Sequence, residues 1–133
     1  AGNSWLPPAK KHPLDGESFA KFLLNPQSLG KRSPIFYLFP GYMDVRAQPC
    51  VVTIDEIDGK RYKLLYFYEA DEWELYNLTD DIGEKTNLAT DMPNVSASLS
   101  KKIQAWLSQK HPTWRPKYPI SKKSGTPVLP RFL

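Results

Sequence analysis

VVTIDEIDGKRYKLLYFYEADEWELYNL, residues Val51–Leu78, is the stretch that decides the fold. Val51, Thr53, Asp55 and Ile57 alternate with Val52, Ile54 and Glu56, the period-two pattern of a strand. Asp58-Gly59 follows between two β-rich runs, which predicts a two-residue type I′ hairpin with φ > 0 at both central residues. Arg61 to Glu69 resumes the alternation. Tyr62, Leu64, Tyr66 and Tyr68 take one face, and Lys63, Leu65 and Phe67 the other. An Ala70-Asp71 turn leads into a strand from Trp73 to Leu78, with Trp73 and Leu75 opposed to Glu74 and Tyr76. Residues 51–78 therefore read as an antiparallel meander.

Downstream, Asp80-Asp81-Ile82-Gly83-Glu84 reads as an acidic turn. Gly83 is expected to supply a positive φ, and the Asp side chains to accept hydrogen bonds from nearby amides. Asn87-Leu88-Ala89 closes this connector. A helix follows, with Asp91 expected as its cap and Pro93 in its first turn, where a missing N–H costs nothing. Val95, Leu99, Ile103, Trp106 and Leu107 form its apolar stripe. Lys101, Lys102, Gln104 and Gln109 are expected on the opposite side. The stripe is suited to cover one face of the meander, since a small aromatic sheet needs such a cover. His111-Pro112 ends the helix.

Upstream, residues 1–17 read as an extended lead-in, because Pro7, Pro8 and Pro13 forbid a helix interior. Ser18 is expected to cap a short helix carrying Phe19, Phe22 and Leu23, which Asn25-Pro26 ends. Ile35 to Phe39 is apolar throughout, so it is expected to be a strand covered on both sides. Pro40-Gly41 stops it, and a loop from Tyr42 to Pro49 leads to the meander. The whole predicts an α+β fold: a three- to four-stranded antiparallel sheet packed against a C-terminal helix, in a single domain spanning 1–133.

The chain of 133 residues suits one modest core, and 41% hydrophobic with 13% aromatic residues marks it as globular. No apolar run approaches the roughly 18 residues of a membrane span. One cysteine, Cys50, excludes an internal disulfide and a cysteine-rich zinc site. The charge is uneven. Residues 1–91 hold 10 Lys and Arg against 14 Asp and Glu, a net of −4, whereas residues 92–133 hold 8 Lys and Arg and no acid. A solvated helix face plus an extended, basic, Pro-rich tail over 112–133 is the plainest account of that basic end.

Four segments in order resemble the sulfatases, the sulfuric-ester hydrolases of the alkaline-phosphatase-like superfamily. Pro13-Leu14-Asp15-Gly16-Glu17-Ser18-Phe19 is similar to their PLDG-x-S segment. Arg32 to Tyr42 is similar to R-x-P-[LI]-[FY]-W-H-F-P-H-Y, and Tyr62 to Glu69 to the YKLI strand. Glu74 to Leu78, Asp81, Gly83-Glu84 and Asn87 to Ala89 resemble the family's C-terminal subdomain. The resemblance covers roughly residues 13–110. It implies an arylsulfatase-like parent enzyme in which this domain buttresses a catalytic N-terminal domain. A sulfated small molecule or glycan is the implied substrate, with no nucleic acid and no membrane as partner. With no starting Met and no signal-type segment, the chain reads as a C-terminal fragment of such a parent, for which a periplasmic or secreted location is compatible.

The family's chemistry needs a formylglycine nucleophile, made within C-x-P-x-R, and a calcium ion. Both are expected in the parent catalytic domain, and no cofactor in this piece. Cys50 is followed by Val51, Val52, Thr53 and Ile54, so it lacks the required Pro and Arg and reads as a buried strand-end thiol. Asp55, Glu56 and Asp58, like Asp80, Asp81 and Glu84, lack the periodicity of a calcium loop. His12 and His111 make neither a zinc site nor a triad. Catalytic residues and metal ligands are therefore expected to be absent from this piece, which alone is expected to be inactive.

The family's HFPHY histidines fall on Leu38 and Gly41 here, while Tyr42 is retained. Tyr42, Asp44 and Arg46 are the candidates for lining a substrate cleft, Arg46 being suited to an anionic substituent. Two other readings stay open. One is a free-standing glycan- or nucleic-acid-binding module built on Tyr62, Tyr66, Tyr68, Trp73 and Tyr76. The other is part of a non-catalytic sulfatase-like protein.

Overall fold

The computed structural model describes residues 18, 20–25, 32–39, 41, 48–108, 118 and 120–128. It divides into two compact units, Ala1–Lys31 and Arg32–Leu133. In the first, α1 (Ala20–Leu24) is a single short helix. Ser18 Oγ accepts a hydrogen bond from the Ala20 N–H at 3.3 Å, as expected of the residue that opens it.

The second unit holds β1 (Ile35–Phe39), β2 (Cys50–Ile57), β3 (Lys60–Phe67), β4 (Glu72–Asn77) and α2 (Pro93–Leu107). The four strands pair in chain order, all antiparallel, so the α+β expectation stands with four strands. The β2–β3 turn is the predicted one: Asp58 has φ 50° and Gly59 φ 74°. Cross-strand pairing sets Val51, Leu64 and Leu75 in adjacent rows of one face, where Tyr62 and Tyr66 also lie. Leu99, Ile103 and Leu107 of α2 close over that face and complete the core. Each fully buried Leu or Ile contributes about 1.5–3 kcal/mol by leaving water. Trp106 stacks on Phe36 of β1, with ring centroids 5.1 Å apart and planes 6° from parallel. Tyr118 and Val128, flanking a turn bridged between Ile120 and Pro127, also pack against this core. Most of the expected tail lies outside the described residues.

Four local expectations are corrected. β1 is not covered on both sides; it is an edge strand whose Ile35 and Tyr37 face away from α2 and are exposed. Asp91 does not cap α2. Met92 takes that place with no side-chain bond, its own N–H donating to the Leu88 carbonyl at 2.9 Å. Pro93 at the helix start removes one donor that a cap would otherwise serve. The positive φ in the acidic turn falls on Glu84, at 52°, and not on Gly83. Glu84 is held there because its carboxylate is tied to Lys63 at 2.8 Å while its N–H donates to the Asp81 carbonyl. Lys102 is not on the solvent side of α2. It follows Leu99 by three positions, at the margin of the stripe, and pairs with Asp55 of β2.

Candidate functional site

The cleft candidates Tyr42, Asp44 and Arg46 lie outside the described residues, as do His12 and His111. What is described is where their loop ends. Pro49 is fully buried, and its carbonyl accepts the Tyr68 N–H at 3.1 Å. This bond extends the β2–β3 ladder by one step and fixes the point at which the loop enters the sheet.

Cys50 follows as the first residue of β2 and is half-buried. Burial pushes its thiol above the usual range, with the Lys63 ammonium pulling partly back. An activated nucleophile needs the opposite shift, so the setting of this strand-end thiol does not favour the reactive thiolate.

The carboxylates do not converge. Asp55 is buried beneath α2, bonded by Oδ1 to the Glu56 N–H at 2.8 Å and paired through Oδ2 with Lys102. Asp80 accepts from Lys60 Nζ and from Asn77 Nδ2, each at 2.8 Å. The hydrogen bond from Lys60 holds its carboxyl below the usual range, and reciprocally raises the Lys60 ammonium. Asp81 Oδ2 accepts the Lys85 and Thr86 N–H groups at 2.8 and 3.0 Å. Glu84 is clamped by Lys63. Each of these four acids is thus spent on a lysine or on nearby backbone amides, which is a poor donor set for calcium. Among the described residues, no three His, Cys, Asp or Glu side chains come together to hold a metal ion.

The connector from Asn77 to Leu88 is therefore a fixed architectural device. Asn77 Oδ1 accepts the Thr79 N–H at 3.1 Å, and Thr79 Oγ1 accepts the Arg61 N–H at 2.9 Å. Asn87 is the residue that strand and helix patterns miss. Its Oδ1 accepts from Leu75 of β4 at 3.0 Å and from Ala89 at 2.9 Å. The Leu88 N–H then donates to the Leu75 carbonyl at 2.8 Å, so Asn87-Leu88 runs along the outer edge of β4. An Asn two residues before the amide it caps is the one local signal for this bracket.

The supposed aromatic platform is not presented to a ligand. Tyr62, Tyr66 and Tyr68 are buried, and Trp73 packs against the same core. Tyr66 lies edge-on to Tyr68 at 5.4 Å and tilted against Trp73 at 4.8 Å. Tyr76 alone faces the other side. Its hydroxyl donates to Glu74 at 2.9 Å. Its phenol is pushed up to about 12 by partial burial, by that bond, and by the nearby carboxylates of Glu74, Glu84 and Asp81. Asn77-Leu78-Thr79 and Asn94-Val95-Ser96 fit the glycosylation acceptor pattern; Asn77 is buried and bonded, and Asn94 is exposed in the first turn of α2.

Comparison with known proteins gives this architecture its context. A family model described as N-sulphoglucosamine sulphohydrolase, C-terminal, matches residues 8–111. A curated protein named Sulfatase, from Formosa agariphila, is 38% identical over 109 residues, covering 77% of this chain and 20% of that protein. The chain thus spans about a fifth of the length of the curated relative it matches.

Proposed function

The chain belongs to this family of sulfatase C-terminal domains, and from that membership we propose that it serves as the C-terminal domain of a sulfuric-ester hydrolase. The observation that carries the reading is the family match across residues 8–111, which takes in all four strands and α2. In this role the domain supplies structure and the upstream domain supplies chemistry: the formylglycine nucleophile, and a calcium ion to stabilise the sulfate oxygens. The carboxylates described above support that division, since lysines and turn amides already occupy them.

The domain's contributions are to buttress the catalytic domain and to form one wall of its cleft. For the second, the loop Tyr42–Pro49 is the contributing segment. Tyr42 offers an aromatic face, Asp44 a hydrogen-bond acceptor and Arg46 a charge for an anionic substituent of a sulfated small molecule or glycan. The loop's anchoring at Pro49 supports a fixed wall.

Two assays test the reading. Purified chain, given a chromogenic aryl sulfate and calcium, is expected to release no product; calcium-dependent turnover by the chain alone would overturn the division of labour. Arg46→Ala in the longer polypeptide is expected to raise KM for substrates bearing a second anionic group. Unchanged kinetics on every sulfate ester turned over would remove Arg46 from the cleft.

A further inference from the structure

The chain continues past the family-matched residues 8–111, and part of that continuation folds back onto the domain. Ile120 and Pro127 form an antiparallel bridge across a turn that is tied to itself. The Ser121 N–H donates to the Thr126 carbonyl at 2.9 Å, and the Gly125 N–H to the Ser121 carbonyl at 2.9 Å. Ser121 Oγ accepts the Lys123 and Ser124 N–H groups at 3.2 and 3.3 Å. Gly125 supplies the positive φ, 68°, that the turn requires. Residues 122–127 at the tip are exposed. Tyr118 on one flank and Val128 on the other are half-buried and pack against the core. The self-bonded turn between them holds these two anchors as a pair.

Tyr68 marks where they meet that core. It lies one residue past the end of β3, and its side chain continues the row of Tyr62, Leu64 and Tyr66. It is nevertheless only 3% exposed, and its hydroxyl is buried with no partner. A phenol sealed from water at a strand end needs a cover there. After burial itself, Tyr118 is the leading group that raises the Tyr68 phenol, as only a near neighbour does. Tyr68 also holds the incoming loop: its N–H donates to the carbonyl of the fully buried Pro49 at 3.1 Å. Tyr68 thus stands between the C-terminal turn and the last residue of the Tyr42–Pro49 loop.

We infer that residues 118–128 form a strap closing this end of the sheet, and that Tyr118 is a positioning residue for the Tyr42–Pro49 loop, acting through Tyr68. The loop's place at a substrate cleft rests on the reading above; the strap does not. The bond from Tyr68 to Pro49 is a single backbone bond at the end of a ladder, the kind that water competes for and that frays first. An aromatic ring laid over Tyr68 suits the task, because it brings a large apolar surface to a small cover. The consequence is particular to this chain. The fixed end of the loop depends on a segment beyond the family-matched residues, whereas the sheet and α2 lie within them.

Amide hydrogen exchange on the whole chain reads the strap without any activity. In Tyr118→Ala the Tyr68 amide is expected to exchange about tenfold faster, while the amides of Tyr62 to Leu65 keep their rates. Tyr118→Phe keeps the ring and should keep Tyr68 protected. Val128→Ala, a milder change, should move Tyr68 in the same direction by less, and it decides the matter if Tyr118→Ala does not fold. Unchanged protection of Tyr68 overturns the inference. A uniform rise along β3 overturns it too, because Tyr118 would then serve general stability alone. In the longer polypeptide, Tyr118→Ala should raise KM for sulfate esters with kcat retained, and Tyr118→Phe should not. A loosened Tyr68 with unchanged KM defeats the cleft-wall reading and leaves the strap standing. A protected Tyr68 defeats the strap and leaves the cleft-wall reading standing.

Discussion

Replacing Lys102 by Met isolates Asp55, the one buried charge among the described residues. Asp55 alternates with Val51 and Thr53 along β2, so the pleat turns it toward α2. Its side chain is 1% exposed, against 36% for Lys102. Lys102→Met keeps the apolar stem but leaves the carboxylate buried with one neutral donor, the Glu56 N–H at 2.8 Å. Breaking a buried pair in this way costs about 3–5 kcal/mol. Water reaches Lys102, so part of the pair is already screened and the loss falls to about 2–3 kcal/mol. Asp55→Asn is the milder change. It keeps the shape and the acceptor, and it lets the half-exposed ammonium turn into solvent, at about 1 kcal/mol. The double variant should then recover part of the Lys102→Met loss. Urea denaturation of the four proteins, compared at constant m-value, measures this. If Lys102→Met costs no more than Asp55→Asn, or if the two losses simply add, the buried-pair argument is wrong.

Three further outcomes follow from single positions. The Tyr68 hydroxyl is buried with no hydrogen-bond partner, so Tyr68→Phe should be neutral or stabilising by up to about 1 kcal/mol at pH 7. Burial first, then Tyr118, Tyr66 and Cys50, raises the Tyr68 phenol. A folded-state value above the unfolded one gives stability that is complete below the ordinary value of about 10 and is lost as pH rises beyond it. Thermal midpoints between pH 8 and 11 (roughly the window set by that phenol) should therefore fall less steeply for Tyr68→Phe than for the parent chain. Gly59→Ala should cost about 1 kcal/mol through its φ of 74° alone, since an added Cβ there meets nothing within 4 Å; Gly41→Ala, equally uncrowded and without that φ, should cost little in the same denaturation series. Alkylation of Cys50 should be slower in the folded chain than in urea and should accelerate at alkaline pH, because burial raises its thiol; equal rates in both states contradict the half-buried placement.

The sheet was legible because its signals are local. Strict alternation through β2 and β3 and the Asp58-Gly59 turn specify pairing and register together. The α2 stripe was legible for the same reason, and Leu99, Ile103 and Leu107 are its buried members. What the pattern missed depends on contacts far apart in sequence. A uniformly apolar strand looks the same at an edge as at a centre, so its sequence predicts a β1 covered on both sides where the structure has an edge strand. Lys102 looks like a solvent lysine until Asp55, 47 residues away, is seen to need it. The positive φ moved from Gly83 to Glu84 because the Lys63 pair and the turn's own hydrogen bonds select the strained residue. The most family-like stretch, Glu74 to Ala89, carries core, turn and edge-bracketing roles. Its sequence specificity is therefore explained by architecture. The cleft candidates Tyr42, Asp44 and Arg46 rest on the family resemblance and on the anchored end of their loop at Pro49.

Sulfate-ester hydrolysis by the upstream region, measured with and without this domain attached, tests the proposed division of labour. Turnover is expected from the joined polypeptide, none from this chain alone, and loss of soluble, active enzyme when the domain is removed. Full turnover by the upstream region without this domain, or any turnover by this chain alone, would contradict it.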